Sequence, residues 1–309
     1  MSDTREIKFG TFLTDPTRVV AQARRGEELG YDLLACGEHI TFNKPVPNSF
    51  ISLACAAGVT QRVKLMNAIA LLPLYSAALA AKLGAALDAA SDGRFIFGVG
   101  VGGEIPREFE ASGVPVGERG ARTNEALQII KRLWSEESVS FEGRFNTLNK
   151  ISIAPPPVQR PHPPIWVAGR QDAAARRAGR YGDGWLPYMF TPEQFAESLA
   201  KVKRFAEEAG RNPDNIEAGL LLWSNVQEDG ARAHQAATDY LSRNYAQDFT
   251  KLVPRYALAG DPDTCRARVQ EFIDAGASLV ILAPASDGGA ETDRNVEFMA
   301  DTVVAPMRG

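Results

Sequence analysis

Residues 7–16 read Ile7-Lys8-Phe9-Gly10-Thr11-Phe12-Leu13-Thr14-Asp15-Pro16. The run is apolar and of strand length, and it ends in Leu13-Thr14-Asp15-Pro16 with no glycine. An open dinucleotide-binding sheet places a G-x-G-x-x-G turn directly after its first strand, because only glycine lets backbone approach a pyrophosphate that closely. That turn is missing here. If the following sequence alternates strand and helix, the expected architecture is therefore a closed ring of parallel strands.

The alternation is present. Short aliphatic runs at 7–13, 31–36, 63–71, 95–99, 165–168, 184–187, 216–223 and 279–283 have the continuous apolar character of strands covered on both faces. Between them apolar residues recur with helical period. Ala126, Leu127, Ile129, Ile130, Leu133 and Trp134 share one face, as do Phe195, Leu199, Val202, Phe205 and Ala209, and Cys265, Val269, Phe272 and Ile273. Thr191-Pro192 reads as an N-cap followed by proline in the first turn, and Gly210 and Gly276 stand where helices should stop. Eight strand-helix units predict an α/β fold, a (β/α)8 TIM barrel forming a single domain over 1–309. Two insertions interrupt it, near 137–164 (a hairpin around 139–145, then a proline-rich run) and near 227–260, mostly helical.

The bulk properties fit this reading. The chain has 309 residues, 45% of them hydrophobic, and a formal charge of −4. A barrel of ~250 residues plus insertions accounts for the length. No basic tract suggests nucleic acid or an anionic membrane as a partner. No apolar run reaches the ~20 residues of a membrane span. The start, residues 1–8, is polar, without the apolar core of a secretory signal. Cys36, Cys55 and Cys265 form no C-x-x-C pair, so the expectation is a cytoplasmic protein with reduced thiols.

In such barrels chemistry sits at the C-terminal ends of the strands. The second run exits into Gly37-Glu38-His39, and the third ends around Asn67-Ala68-Ile69. The fourth exits into Gly98-Val99-Gly100-Val101-Gly102-Gly103-Glu104, and the fifth into Gly169-Arg170-Gln171-Asp172. His39 is the leading catalytic candidate. A lone histidine commonly only bonds a nearby carbonyl, but one at a strand end beside Glu38 is placed to contact a ring or move a proton. The glycine-rich exit, with Gly100 and Gly102, reads equally as tight turns or as backbone open to a ligand. Glu104 is a second acid/base candidate or an ordinary surface glutamate. Gly169, Arg170 and Gln171 open a helix whose free N–H groups suit a phosphate. Phe12, Trp185, Tyr188 and Trp223 are candidate walls of an apolar substrate pocket. Three scattered histidines and no H-E-x-x-H argue against a metal site, and no nucleophile motif is present. A site with so few reactive groups suits an organic cofactor acting on a small-molecule substrate.

Several blocks resemble the luciferase-like family of flavin and deazaflavin oxidoreductases. They are Glu27-Glu28-Leu29-Gly30-Tyr31-Asp32 leading to Gly37-Glu38-His39, and Leu87-Asp88-Ala89-Ala90-Ser91-Asp92-Gly93-Arg94-Phe95 leading to Gly98-Val99-Gly100. With them go Glu118-Arg119-Gly120 before Glu125-Ala126-Leu127, and Pro161-His162-Pro163-Pro164-Ile165-Trp166-Val167-Ala168-Gly169 before Gly182-Asp183-Gly184-Trp185. The resemblance implies a cofactor, coenzyme F420 or FMN, lying across the strand ends. It implies a cis non-proline bond near Ala68-Ile69 against the ring, His39 as ring contact or proton donor, and phosphate at the turn Gly169 to Gln171. It further implies a homodimer and a separate flavin or F420 reductase. FMN members use oxygen to monooxygenate substrates, whereas deazaflavin members transfer hydride. Glu104 resembles an acid found after the fourth strand in deazaflavin sugar-phosphate dehydrogenases. Glu38 departs from the aspartate usual in those enzymes, and residues 187–193 lack their phosphate-binding lysines. The leading expectation is F420-dependent hydride transfer. The alternatives are an FMN monooxygenase and a non-catalytic flavin-binding protein.

Overall fold

The computed structural model describes residues 6–308; residues 1–5, the first part of the polar start read above, lie outside them, as does Gly309. The strands, in chain order, are β1 (Lys8–Phe12), β2 (Leu33–Cys36), β3 (Lys64–Asn67), β4 (Ala70–Leu71), β5 (Phe95–Gly100), β6 (Val139–Glu142), β7 (Thr147–Ile151), β8 (Ile165–Ala168), β9 (Gly184–Leu186), β10 (Glu217–Val226), β11 (Leu258–Gly260) and β12 (Leu279–Pro284). Eight of them pair in parallel as β1–β2–β3–β5–β8–β9–β10–β12, and β12 returns to β1 with Lys8 opposite Leu279 and Thr11 opposite Leu282. The ring is closed, as the sequence predicts.

Strand parity divides the core. Leu33, Ala35, Met66, Trp166, Leu186, Leu279 and Ile281 pack together inside the ring. Their immediate neighbours Leu34, Cys36, Leu65, Val167, Trp185 and Val280 join the larger cluster under the helices. Alternation follows from the pleat, which turns successive side chains to opposite faces. Trp166 fills the interior at the level of Gly184, where a Cβ would lie 2.3 Å from the indole. The helical layer is capped as expected: Thr191 accepts from Gln194 N–H in a capping box, with Pro192 in the first turn, at the start of helix Pro192–Glu208. Gly210 (φ 72°) and Gly276 (φ 103°) end helices in the left-handed region.

Boundaries shift in places. The run at 63–71 is two strands, β3 and β4, separated by the cis bond Ala68–Ile69 that the resemblance implied. β10 continues to Val226, beyond the expected 223, because β11 pairs with its last residues outside the ring. β11 had no signal of its own, being only the three residues Leu-Ala-Gly. The first insertion contains the hairpin β6–β7, and the second contains helix Gly230–Tyr245.

At the N-terminal rim, carboxylates from the family-like blocks accept backbone N–H groups at the starts of strands. Asp32 takes Phe9 N–H at 2.8 Å, Asp183 takes Ile165 N–H at 2.9 Å, and Glu27 takes the N–H groups of Gln61, Arg62 and Val63. Asp88, fully buried, takes Val158 and Gln159 N–H and the Gln159 amide. Buried Arg94 donates to the carbonyls of Ala57, Thr60, Val63 and Ser91. Each contact satisfies a backbone group that no ladder reaches. Among the described residues no helix is long and apolar enough to cross a membrane.

Candidate active site

The inward residues at the C-terminal rim open into a cavity of about 690 Å³. That volume lies within the range of cofactor and ligand pockets. Its floor and walls come from Phe12 on β1, Ala68 and Ile69 between β3 and β4, Gly100 on β5, Ala168 on β8, and Leu221 and Trp223 on β10. His39, Glu104, Gly169, Arg170, Gln171 and Tyr188 reach it from the loops after the strands.

His39 is held from two sides. Its Nδ1 lies 3.1 and 3.2 Å from the two carboxylate oxygens of Glu108. Its ring stacks on Phe42 at 4.6 Å and 18°. Glu108, on the short helix Pro106–Ala111, is 1% exposed and also accepts Ile40 N–H at 2.6 Å and Thr41 N–H at 3.3 Å. A carboxylate on Nδ1 favours the tautomer with hydrogen there. That leaves Nε2 without a partner among the described residues, on a ring 23% exposed in the cavity wall.

Glu38 does a different task. Its Oε2 accepts the Ser49 hydroxyl at 2.7 Å, and its Oε1 accepts Leu71 N–H at 2.9 Å. Ser49 in turn receives Asn67 Nδ2 at 2.8 Å. Glu38 thus clamps the segment on both sides of the cis bond. β5 presses against the same segment. A Cβ at Gly98 would lie 1.8 Å from the Asn67 carbonyl oxygen, and one at Gly100 would lie 1.8 Å from Ile69 Cδ1. The glycine-rich exit is therefore partly a matter of packing. Only Gly102 (φ 58°) and Gly103 (φ 105°) have the left-handed backbone of a turn.

Three arginines line the cavity without a carboxylate partner among the described residues. Arg119 Nε is buried and has no hydrogen-bond partner, while its Nη1 donates to Val116 O. Arg177 donates to Asn124 Oδ1 and Gly120 O, and burial holds its guanidinium below the ordinary pKa. Arg170 lies over the Tyr188 ring, 5.1 Å from its centroid. Beside them helix Asp172–Tyr181 begins at Gln171 with no side-chain cap. Cations without an acidic partner beside an uncapped helix start have the charge and free N–H groups to receive an anion.

At the mouth the Tyr188 hydroxyl donates to Glu104. Burial, then the Glu104 charge, raise the phenol pKa well above its usual value, so Tyr188 remains the donor. Trp223 packs edge-on to Tyr245 at 6.4 Å. The loop after β2 meets helix Gly230–Tyr245 across the opening, through Asn43 Nδ2 to Asn244 O at 2.9 Å and Phe42 edge-on to Tyr245 at 6.0 Å.

Most residues singled out from sequence converge on this cavity: His39, Glu104, Ala68, Ile69, Gly100, Gly102, Gly169, Arg170, Gln171, Phe12, Tyr188 and Trp223 all line it. Two do not. Trp185 is fully buried in the outer layer, stacked on Phe195 at 5.2 Å, with its indole N–H on Gly169 O. It was misread because Leu186 is the inward residue of β9, so parity sends Trp185 outward. Asn67 is fully buried behind the wall and supports it through Ser49. Glu108, Arg119, Arg177, Phe42, Lys44 and Tyr245 were missed. They lie on loops and helices that only tertiary closure brings to the rim. Arg119 alone had a trace of signal, inside the family-like Glu118-Arg119-Gly120 block.

A closed parallel barrel whose strand ends enclose a cavity lined by unpaired arginines and one clamped histidine has the architecture of a barrel enzyme. The luciferase-like monooxygenase family matches residues 4–279, and the chain belongs to that family. It is 31% identical over 246 residues to an uncharacterized Mycobacterium tuberculosis protein, spanning 73% of this chain and 84% of the relative. It is 28% identical over 316 residues to an F420-dependent glucose-6-phosphate dehydrogenase of Kineococcus radiotolerans, spanning 93% and 92%. A solved Streptomyces bottropensis monooxygenase superposes with a TM-score of 0.85 at 28% identity, covering 96% of this chain and 99% of that one.

Proposed function

We propose that the chain is an oxidoreductase that binds coenzyme F420 or FMN in this cavity and acts on a small organic substrate, with F420-dependent hydride transfer as the leading form. The observation that carries the reading is that one cavity joins the Ala68–Ile69 wall, the clamped His39 and the arginine set. The residues fit such a group. A phosphate offers acceptors to the orphaned Arg119 Nε and to Arg170, and the N–H groups at the start of helix Asp172–Tyr181 add to them. Ala68, Ile69, Gly100 and Gly102 give a flat ring a close, largely apolar bed.

When bound, the cofactor supplies the hydride chemistry that no side chain here offers. His39 Nε2 gives or takes the accompanying proton, with Glu108 stabilising the imidazolium and fixing the ring. Glu104, bonded to Tyr188, is the second proton-handling group. Phe12 and Trp223 exclude water and receive the apolar part of the substrate. The likeness to the Kineococcus radiotolerans dehydrogenase supports F420. Its sugar-phosphate substrate is not carried over, because residues 187–193 contain no lysine. The likeness to the Streptomyces bottropensis monooxygenase supports the second reading, reduced FMN with oxygen. Where the reduced cofactor is consumed, with FMN and oxygen or with F420 reducing the substrate, a separate flavin or F420 reductase would supply it, and we propose a homodimer as the assembly.

The test is fluorescence titration of the protein with FMN and with F420, each oxidised and reduced. Saturable binding of F420 in preference to FMN supports hydride transfer, and preference for reduced FMN supports the monooxygenase. Absence of binding by all four removes the proposal.

A further inference from the structure

We propose that Lys44 is the substrate-specificity residue of this site and that the substrate is a planar apolar molecule carrying one anionic oxygen group, a carboxylate or an enolate. The inference rests on the cavity being the reaction site, as proposed above.

Lys44 lines the cavity from the loop after β2. Its ammonium lies 4.6 Å from the Tyr240 ring centroid and 5.7 Å from that of Trp223, and it donates to the Tyr240 hydroxyl. All these partners are neutral. The carboxylates at this rim of the cavity are engaged elsewhere. Glu108 holds His39 and the backbone of residues 40 and 41, Glu38 holds Ser49 and Leu71, and Glu104 accepts Tyr188. Asp287 adds only a longer-range attraction, because its oxygens accept Arg243. Burial lowers the Lys44 pKa to about 8, outweighing the attraction of Asp287.

The position is fixed rather than wandering. The flanking Asn43 is tied to Asn244 O, and Phe42 is stacked on His39. The ammonium lies over the Trp223 and Tyr240 rings, and Phe42, Trp223, Tyr245 and Tyr188 line the same cavity. Such aromatic walls accept a flat apolar body, and the Lys44 ammonium, which has no ion pair among the described residues, selects an anionic oxygen. Arg170 does not compete for this role, because it belongs to the anion site beside Gly169.

The test is calorimetric titration at pH 7 of the cofactor-loaded protein with 2-naphthoate and with its neutral analogue 2-naphthamide. Wild type is expected to bind the naphthoate at least tenfold tighter. Lys44→Met is expected to lose that preference while naphthamide affinity and cofactor affinity move by less than twofold. The naphthoate preference of wild type should also decline as pH rises through about 8, where the ammonium discharges. Equal affinity for the two probes, no binding of either, or a preference that survives in Lys44→Met overturns the proposal. If neither FMN nor F420 loads, the cofactor reading fails separately, and the same titrations on the cofactor-free protein still decide the role of Lys44.

Discussion

The two rims of the barrel use the same chemistry for different ends. At the N-terminal rim Glu27, Asp32, Asp88 and Asp183 accept backbone N–H groups that begin strands and loops. At the C-terminal rim Glu38 and Glu108 also accept backbone N–H groups, from Leu71 and from Ile40 and Thr41. The difference is what else they hold. Below, the partners are scaffold only. Above, one acid clamps the Ala68–Ile69 wall and the other clamps His39. In sequence Glu27, Asp32, Glu38, Asp88 and Asp183 look alike, being acids inside family-like blocks, and Glu108 lies outside them. Their position along the barrel axis separates stability from chemistry, as expected for a fold whose loops, not its ring, carry the reaction.

Substitutions on the two rims should therefore divide cleanly. The largest effect is expected from His39→Ala, which removes the working imidazole: turnover falls on the order of 10²-fold with the melting temperature little changed. Wild-type turnover in that variant would take His39 out of the mechanism. Asp88→Ala on the lower rim should cost about 2 kcal/mol, because the N–H donors of Val158 and Gln159 lose their acceptor. Thermal unfolding should then shift down by roughly 3 °C, with turnover per folded molecule preserved. A turnover loss larger than the loss of folded protein would break the separation of the rims. Glu108→Gln should reduce turnover by about tenfold, equivalent to about 1.4 kcal/mol, because an amide positions the imidazole without stabilising its cation. The pH profile of turnover should move with it. A purely structural role for Glu108 would move the melting temperature and leave the profile in place.

How much of this was legible depends on range. Alternation and turn residues are local, so the eight barrel strands, the Thr191 cap and the helix-ending glycines could be read directly. His39, Gly169 and the Ala68–Ile69 segment could be placed because each directly follows or ends a strand. Glu108 could not, since nothing in Pro106-Arg107-Glu108-Phe109 predicts that a short helix folds back against residues 39–41. Phe42 and Tyr245 meet only because the loop after β2 and helix Gly230–Tyr245, far apart in the chain, close over one mouth. Trp185 shows the opposite case. The information was present in the alternation of β9, and a polar-tipped aromatic near a strand end was read by type instead of by parity.

The central claim is that the arginine-lined part of the upper cavity holds the phosphate of a flat organic cofactor. The most direct test compares FMN with riboflavin, and F420 with its phosphate-free deazaflavin nucleoside, by equilibrium titration of wild type and of the Arg119→Met, Arg170→Met double variant. The account predicts that wild type binds the phosphorylated form of its cofactor at least tenfold tighter than the phosphate-free form, and that the double variant closes the gap. Equal affinities in wild type, or a gap untouched by removing both arginines, would contradict it.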